Sequence, residues 1–174
     1  MDHRIMIIGS SCSGKTTLGA ALGQALAVKH IDLDELNWLP GWREVPRSEL
    51  RQKIKKEING LDSWIISGGY SGTWDITMPL ASHVIFPDLP LHKLIYGLTR
   101  RTLQRVTDKK EICNGNIETW GNIFSKDSLF IWQLQNYQKK KRQYLALKEN
   151  PYSAETKFLR FSTVGDVQTI VNAL

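Results

Sequence analysis

The sequence is poor in cysteine and contains no long apolar run. Its 174 residues include only two cysteines, Cys12 and Cys113, too few for the disulfide framework of a small secreted domain. No apolar stretch approaches the roughly 20 residues that cross a bilayer, and the few residues before the first apolar run lack the features of a secretory signal. We therefore expect free thiols, a cytoplasmic location and no membrane partner.

Internal repeats, low-complexity segments and Gly/Ser-rich linkers are also absent from the sequence. A chain of 174 residues suits one domain, so we predict a single domain over residues 1–174. The formal net charge of +6 fits partners that carry phosphate, whether nucleotide, phosphorylated substrate or nucleic acid, without choosing among them. His30 and His83 lack the Cys/His spacing of a zinc site, so no such site is predicted.

A phosphate-binding motif is present near the N-terminus. Residues 5–8 form an apolar run typical of a buried strand, residues 9–16 (GSSCSGKT) match G-x-x-x-x-G-K-[ST], and apolar residues at helical spacing follow. The two glycines allow a nest of N–H groups for phosphate, Lys15 would reach the β- and γ-phosphates, and Thr16 would bind Mg²⁺. The predicted nucleotide-binding residues are Gly9, Ser10, Ser11, Cys12, Ser13, Gly14, Lys15, Thr16 and Thr17.

Strands and helices alternate along the rest of the chain. Further strands are predicted over residues 28–33, 64–67, 83–86 and 157–161, and helices after residue 15, over about 46–60, from 90, over about 127–147 and over 167–174. This alternation predicts an α/β domain with a parallel sheet covered on both faces. The phosphate loop then lies at the carboxyl end of the first strand, where such sheets bind ligands.

Asp34 is the candidate catalytic carboxylate, because it ends the second predicted strand and faces the same crevice as Lys15. It could orient or deprotonate a substrate hydroxyl, or hold Mg²⁺ through water. Asp32 points to the same side if the strand continues. Capping of the following helix is the alternative for both residues, and more so for Asp32.

Two arginines are the other catalytic candidates. Arg101 and Arg105 are spaced i,i+4 and share a helix face. Guanidinium groups closing over phosphates would stabilise transferred charge, whereas the alternative is a basic helix end that the helix dipole favours.

The segment from Trp38 to Trp42 suggests an acceptor site. The two tryptophans are separated by a Pro-Gly turn and form either a stacking wall for an acceptor or a plug beneath the next helix. Arg43 could grip an anionic group of the acceptor. The basic run at residues 139–142 spreads around its helix, which favours a solvated surface over contact with nucleic acid.

Together these segments resemble the adenylate kinase-related P-loop proteins often labelled DNA topology modulation proteins. The similar segments are LDELNWLPGW at 33–42, WIISGGYS at 64–71, VIFPD at 84–88 and NGNIE at 114–118. The resemblance implies a three-layer, nucleoside/nucleotide kinase-like P-loop NTPase fold with five parallel strands in the order 2-3-1-4-5. It also implies an acceptor-binding insert at about 35–62, which Gly68 and Tyr70 complement, a lid at about 106–125, and a loop at 162–165 against the base. We do not treat the label as evidence of DNA binding.

The chain departs from the family pattern at three positions. Ser67 and Gly69 stand where the family usually has aspartate and asparagine, and Cys12 stands where glycine is common in the phosphate loop. If the family aspartate helps to hold Mg²⁺, weaker metal binding or slower turnover is the hypothesis for this chain. A small residue at position 12 is tolerable if its φ is negative.

These features predict a phosphotransferase that uses ATP and Mg²⁺. It would move the γ-phosphoryl group to a small hydroxyl- or phosphate-bearing acceptor. The resemblance and the lack of an N-K-x-D guanine-reading segment favour ATP over GTP. The alternative is a nucleotide-binding regulator that hydrolyses ATP and associates with nucleic acid. Nucleic acid is less favoured as a partner than a small-molecule acceptor. The oligomeric state stays open.

Overall fold

A five-stranded parallel sheet forms the centre of the fold. The computed structural model describes residues 2–121, 128–162 and 167–174. The strands of the sheet are β1 (Arg4–Ile7), β2 (His30–Asp32), β3 (Trp64–Ser67), β4 (His83–Pro87) and β5 (Lys157–Phe161). All neighbouring pairs are parallel, in the order β2-β3-β1-β4-β5. The predicted fold class is therefore confirmed, with β1 and its phosphate loop at the centre.

Helices connect these strands and cover both faces of the sheet. They are α1 (Lys15–Leu26), α2 (Leu33–Asn37), α3 (Arg47–Ile58), α4 (Trp74–Thr77), α5 (Leu91–Asp108), α6 (Leu129–Glu149) and α7 (Val167–Val171). None of the helices in the described ranges is long and apolar enough to cross a membrane.

Two short antiparallel hairpins were not predicted. The tryptophan hairpin pairs Trp38–Leu39 with Arg43–Glu44, and the asparagine hairpin pairs Glu111–Ile112 with Asn116–Ile117. The first lies in the predicted acceptor insert and the second in the predicted lid. Residues 122–125 of that lid and 163–165 of the predicted base-contacting loop lie outside the described residues.

The second strand is shorter than predicted because Asp32 ends it. The Asp32 side chain accepts a hydrogen bond from the Asp34 backbone N–H at 3.0 Å and caps α2. Leu33 therefore belongs to a helix rather than to a strand. Capping, the alternative that the sequence left open, applies to Asp32, and Asp34 lies in the first turn of α2.

Alternate residues of β1 and of the position that follows it pack into two cores. Met6 and Ile8 face the core between the sheet and α3, whereas Ile5 and Ile7 face α1 and α7; all four are 0% exposed. Successive strand side chains point to opposite faces, so a strand buried on both sides is apolar throughout. Burial on both faces holds β1 in place, so the start of the phosphate loop that follows it is also fixed in position.

His30 packs beneath α1 and approaches Ser67. Its Nε2 atom lies 3.0 Å from Ser67 Oγ. A Cβ atom at Gly19 of α1 would come within 2.3 Å of the same Nε2, so a glycine is needed for this close approach. Burial lowers the pKa of His30, and the carboxylate of Asp32 opposes this shift.

The lowered pKa of His30 predicts a loss of stability in mild acid. The unfolded chain takes up the proton near the ordinary value of about 6.5, whereas the folded chain takes it up only at lower pH. The free energy of unfolding should therefore fall as pH drops below about 6.5. Urea titrations across this range should show a shallower decline of the free energy of unfolding for His30→Gln than for the unmodified protein. Part of the decline should remain, because burial also lowers the pKa of His83. An unchanged slope in the variant would contradict this role of His30.

Candidate functional site

The loop between β1 and α1 has the backbone of a phosphate nest. Gly9 and Gly14 have φ of +149° and +85°, and Gly14 directly precedes the 12-residue helix α1. Lys15 Nζ donates to the backbone oxygen of Ser10 at 2.8 Å. Ser13 Oγ is buried and has no hydrogen-bond partner among the described residues. A helix N-terminus with an unpaired buried hydroxyl and a lysine fits a bound phosphate chain.

Cys12 occupies a left-handed position in this loop. Its φ is +59°, so the negative φ that would make a side chain tolerable is not found. A non-glycine residue in this region costs about 1–2 kcal/mol. Burial raises the pKa of its thiol, against the effect of Arg101, Lys15 and Arg105. These three cations are therefore close enough to the loop to act on a charge there.

Lys15 faces two carboxylates across the cleft. Burial lowers the pKa of Lys15, and the negative charges of Asp34 and then Asp32 oppose that shift. A buried ammonium group without an anionic partner is unfavourable. The carboxylates of Asp32, which ends β2, and Asp34, in the first turn of α2, thus balance the lysine of the phosphate loop.

Thr16 is hydrogen-bonded to Asp32 rather than to Asp34. Thr16 Oγ1 donates to Asp32 Oδ2 at 2.7 Å. The sequence suggested Asp34 as the carboxylate that assists Thr16, and sequence reasoning left Asp32 out of the site. The hydroxyl and carboxylate oxygens of this pair are the hard ligands that Mg²⁺ takes, directly or through water.

Asp34 is held by a tyrosine in the loop that follows β3. Tyr70 Oη donates to Asp34 Oδ1 at 2.7 Å, and Asn37 Nδ2 donates to Tyr70 Oη at 3.3 Å. Burial raises the pKa of Tyr70, and the negative charge of Asp34 raises it further. The phenol therefore stays protonated and keeps the carboxylate in a fixed position.

The two predicted arginines lie over the phosphate loop at the end of α5. Arg105 Nη1 and Glu118 Oε1 form an ion pair at 2.8 Å. Arg101 Nε is buried without a hydrogen-bond partner among the residues that the structure describes. Arg101 therefore has a donor available in the cleft, and Arg105 is held by the residue that follows the asparagine hairpin.

One cleft of about 1390 Å³ connects these groups. Trp38 and Trp42 line it and pack edge to face, with ring centroids 5.7 Å apart. The volume exceeds that of a typical single-ligand pocket and suits two ligands. Of the predicted site residues, these line the cleft: Gly9, Ser11, Cys12, Gly14, Lys15, Thr16, Thr17, Asp34, Trp38, Trp42, Tyr70, Arg101 and Arg105.

Two predicted acceptor residues are not brought to the cleft. Arg43 is exposed, and its Nε donates to the Pro40 backbone oxygen at 3.4 Å. Gly68 packs against Leu33, whose Cβ would lie 2.7 Å from a Cβ at position 68. Gly68 thus allows close packing of α2. Ser67, where the family usually has aspartate, is 1% exposed and directs Oγ to His30.

The basic run on α6 is not uniformly solvated, contrary to the sequence interpretation. Lys140 lines the cleft, and burial lowers its pKa. Lys141 Nζ pairs with the buried Asp88 carboxylate at 2.9 Å. Helical periodicity gave no signal for these contacts, because they depend on where α6 crosses the sheet.

Sequence comparisons with known proteins give one relative of this chain and no family model. No protein-family model matches the chain. It is 34% identical over 108 residues to the uncharacterized protein YqaC of Bacillus subtilis (strain 168). That match covers 60% of this chain and 60% of the relative, so the chain spans about 60% of the length of the curated protein that it matches.

The similar solved structures cover nearly the whole chain. A shikimate kinase from Bacteroides thetaiotaomicron has a TM-score of 0.55 at 19% identity and covers 98% of this chain and 95% of its own. A shikimate kinase from Acinetobacter baumannii, in complex with shikimate, has a TM-score of 0.57 at 13% identity, with coverages of 99% and 93%. A gluconokinase from Sinorhizobium meliloti 1021 has a TM-score of 0.55 at 16% identity, with coverages of 98% and 87%. The chain therefore has the fold of P-loop small-molecule kinases.

Proposed function

We propose that this protein is a phosphotransferase that moves the γ-phosphoryl group of ATP to a hydroxyl group of a small acceptor. The observation that carries the proposal is the position of Asp34. Tyr70 holds this carboxylate at 2.7 Å, and its charge acts on the Lys15 ammonium across the same cleft. A group that can orient an acceptor hydroxyl therefore lies opposite the group that can bind the transferred phosphate.

The nucleotide would be bound by the phosphate loop. The N–H groups of the nest, Lys15 and the unpaired Ser13 hydroxyl would contact the phosphate oxygens. Thr16 and Asp32 would hold Mg²⁺ with water, and the ion would neutralise charge on the β- and γ-phosphates when bound. The structural likeness to kinases supports ATP as the donor at the level of the fold.

The transfer itself needs little covalent chemistry from the protein. The acceptor oxygen forms a bond to the γ-phosphorus, the bond to the β,γ-bridging oxygen breaks, and ADP leaves. Asp34 would orient the attacking hydroxyl and accept its proton. Arg101 and Arg105 would stabilise the charge that spreads over the phosphoryl oxygens.

The charges of the cleft favour an acceptor without a phosphate group. The charges of Lys15, Arg101 and Arg105 act at the phosphate-loop end. Around Tyr70 the charged groups that act on the phenol are the carboxylates of Asp34 and Glu44. A dianionic phosphate at this acceptor end would meet like charges within a partly buried space.

The neighbourhood of Cys113 indicates the same excess of negative charge. Burial raises the pKa of this thiol to about 12, and the carboxylates of Glu35, Asp34 and Asp32 add to the shift. The positive charge of Arg105 opposes them with a smaller effect. Arg47 also lines the acceptor end, but its Nε donates to the Gly72 backbone oxygen at 3.1 Å, and its charge acts on Asp75. We therefore propose a neutral or cationic acceptor that presents hydroxyl groups, with Trp38 and Trp42 packing on its C–H face.

Paired acceptors would test this proposal. ADP release from Mg-ATP should be measured with nucleosides and their monophosphates, sugars and their phosphates, and amino sugars. We expect at least one unphosphorylated acceptor to raise turnover about tenfold or more above hydrolysis, and its phosphorylated partner to fail. A phosphorylated acceptor that is preferred would overturn the charge argument. If ATP binds and no acceptor stimulates turnover, the regulatory alternative is favoured, and salt-sensitive retention of DNA or RNA becomes its test.

A further inference from the structure

The tip of the asparagine hairpin has an unusual backbone. Cys113, Asn114 and Gly115 all have positive φ, at +43°, +65° and +81°. Asparagine tolerates the left-handed region better than most residues because its short side chain bonds locally. The Asn114 side chain does not bond locally. Both of its hydrogen bonds are to residues more than 70 positions away in the sequence.

Asn114 caps the carboxyl end of the helix that carries Asp34. Its Nδ2 donates to the backbone oxygens of Glu35 at 2.8 Å and Trp38 at 2.7 Å. The last carbonyl groups of a helix lack intrahelical partners. The hairpin tip therefore supplies donors that α2, a helix of only five residues, cannot supply for itself.

Asn116 joins the same hairpin to the tryptophan hairpin. It is 3% exposed, and its Oδ1 accepts from the Trp42 backbone N–H at 2.8 Å. Its Nδ2 donates to the backbone oxygens of Leu39 at 3.0 Å and Cys113 at 2.6 Å. An amide offers a donor and an acceptor on one short side chain, so a carboxylate of the same shape cannot replace it.

The other end of the asparagine hairpin leads to the phosphates. Glu118 directly follows the hairpin and pairs with Arg105 at 2.8 Å. A continuous set of hydrogen bonds therefore runs from Arg105 through Glu118 and the hairpin to α2 and Asp34. These hydrogen bonds connect the acceptor side of the cleft to its phosphate side, and none of them involves the central sheet.

We propose that Asn114 and Asn116 are positioning residues that make the asparagine hairpin and the acceptor insert behave as one body. This inference rests on the proposed function, which identifies one side of the cleft as the acceptor side and the other as the phosphate side. When Arg105 and Arg101 contact a bound nucleotide, α2 and the tryptophan hairpin then also become fixed. By thermodynamic reciprocity, an acceptor bound at Asp34 favours nucleotide binding by the same factor.

Hydrogen exchange of the full chain tests this coupling without an acceptor. Exchange would be followed by mass spectrometry with and without Mg-AMP-PNP, a non-hydrolysable ATP analogue, in peptides covering residues 33–45. We expect the nucleotide to slow exchange in these peptides about tenfold, the size expected for two coupled hydrogen bonds. Asn114→Asp keeps the shape of the side chain at an exposed position. In this variant the nucleotide-dependent slowing should be lost, while the affinity for AMP-PNP changes less than about threefold.

Two further variants make the result specific. Asn116→Asp removes the second set of donors and should lose the same remote slowing. Asn59→Asp alters an exposed asparagine at the end of α3 and should keep it. A merely structural role of Asn114 would raise exchange with and without nucleotide alike and leave the nucleotide-dependent difference intact.

The outcomes separate the two proposals. If AMP-PNP binds and slows exchange in residues 33–45 of Asn114→Asp as much as in the unmodified protein, the coupling is overturned and the proposed function is untouched. The same holds if the unmodified protein binds AMP-PNP and shows no slowing there. If AMP-PNP does not bind the unmodified protein at all, the proposed function fails and the coupling fails with it.

Discussion

Replacing Lys15 with alanine should lower acceptor-dependent turnover by about 10³-fold, the effect of losing one fixed charge donor at the transferred group. In the structure Lys15 is the half-buried lysine of the phosphate loop, and the charges of Asp34 and Asp32 balance its ammonium group. In the proposed reaction, its loss would remove the contact to the β- and γ-phosphates and would leave two carboxylates near them. ADP release from Mg-ATP, with the acceptor that the paired panel identifies, measures the effect.

The control for this change is another lysine of the same chain. Lys148 is exposed in the last turn of α6, and Lys148→Ala should keep the unmodified rate within about twofold. The Lys15→Ala protein should remain folded, because the two carboxylates that lose its charge keep their hydrogen bonds from Thr16 and Tyr70. Turnover within tenfold of the unmodified protein would mean that phosphoryl transfer does not use this loop.

Replacing Asp34 with asparagine should separate catalysis from nucleotide binding. Loss of a positioned general base costs on the order of 10²–10⁴-fold in rate, and we expect a fall in kcat within that range. Asparagine keeps an oxygen that can accept the hydrogen bond from Tyr70, now 2.7 Å long, so the local geometry should survive. Calorimetric affinity for Mg-AMP-PNP should change less than about threefold.

The matched control for Asp34 is an exposed aspartate away from the cleft. Asp62 precedes β3 at the opposite end of the strands, and Asp62→Asn should leave kcat unchanged. Parallel losses of nucleotide affinity and turnover in Asp34→Asn would place this carboxylate in the nucleotide site instead. Unchanged turnover would remove Asp34 from the reaction.

The phosphate-loop half of the cleft could be predicted from the sequence because a local motif determines its backbone. Gly9, Gly14 and Lys15 act through the backbone of one strand, one turn and one helix, so their spacing in the chain fixes their spacing in space. The five strands and their order followed from apolar patterns and from the resemblance. The roles of individual residues within the site stay predictions.

The acceptor half could be predicted only in part, because it depends on contacts between distant segments. Asp32 was left outside the predicted site, with capping as its open alternative, and the structure gives it both contacts, one to Thr16 and one to the Asp34 backbone. Arg43 was placed in the acceptor site by proximity to the tryptophans along the chain, yet it does not line the cleft. The hydrogen bonds of Asn114 span 76 and 79 positions, a separation at which periodicity carries no signal.

The contact between Tyr144 and Gly9 has a consequence for the order of events during synthesis. Tyr144 Oη donates to the Gly9 backbone oxygen across a separation of 135 residues, and the Tyr144 ring packs on Phe86. The first turn of the nest is thus supported by a helix translated long after it. At about 5–20 residues per second, roughly 10 s passes between the two on the ribosome. Nascent chains should therefore acquire nucleotide-dependent protease resistance late, once α6 has emerged, and ATP in the cell would stabilise completed chains rather than guide the early ones.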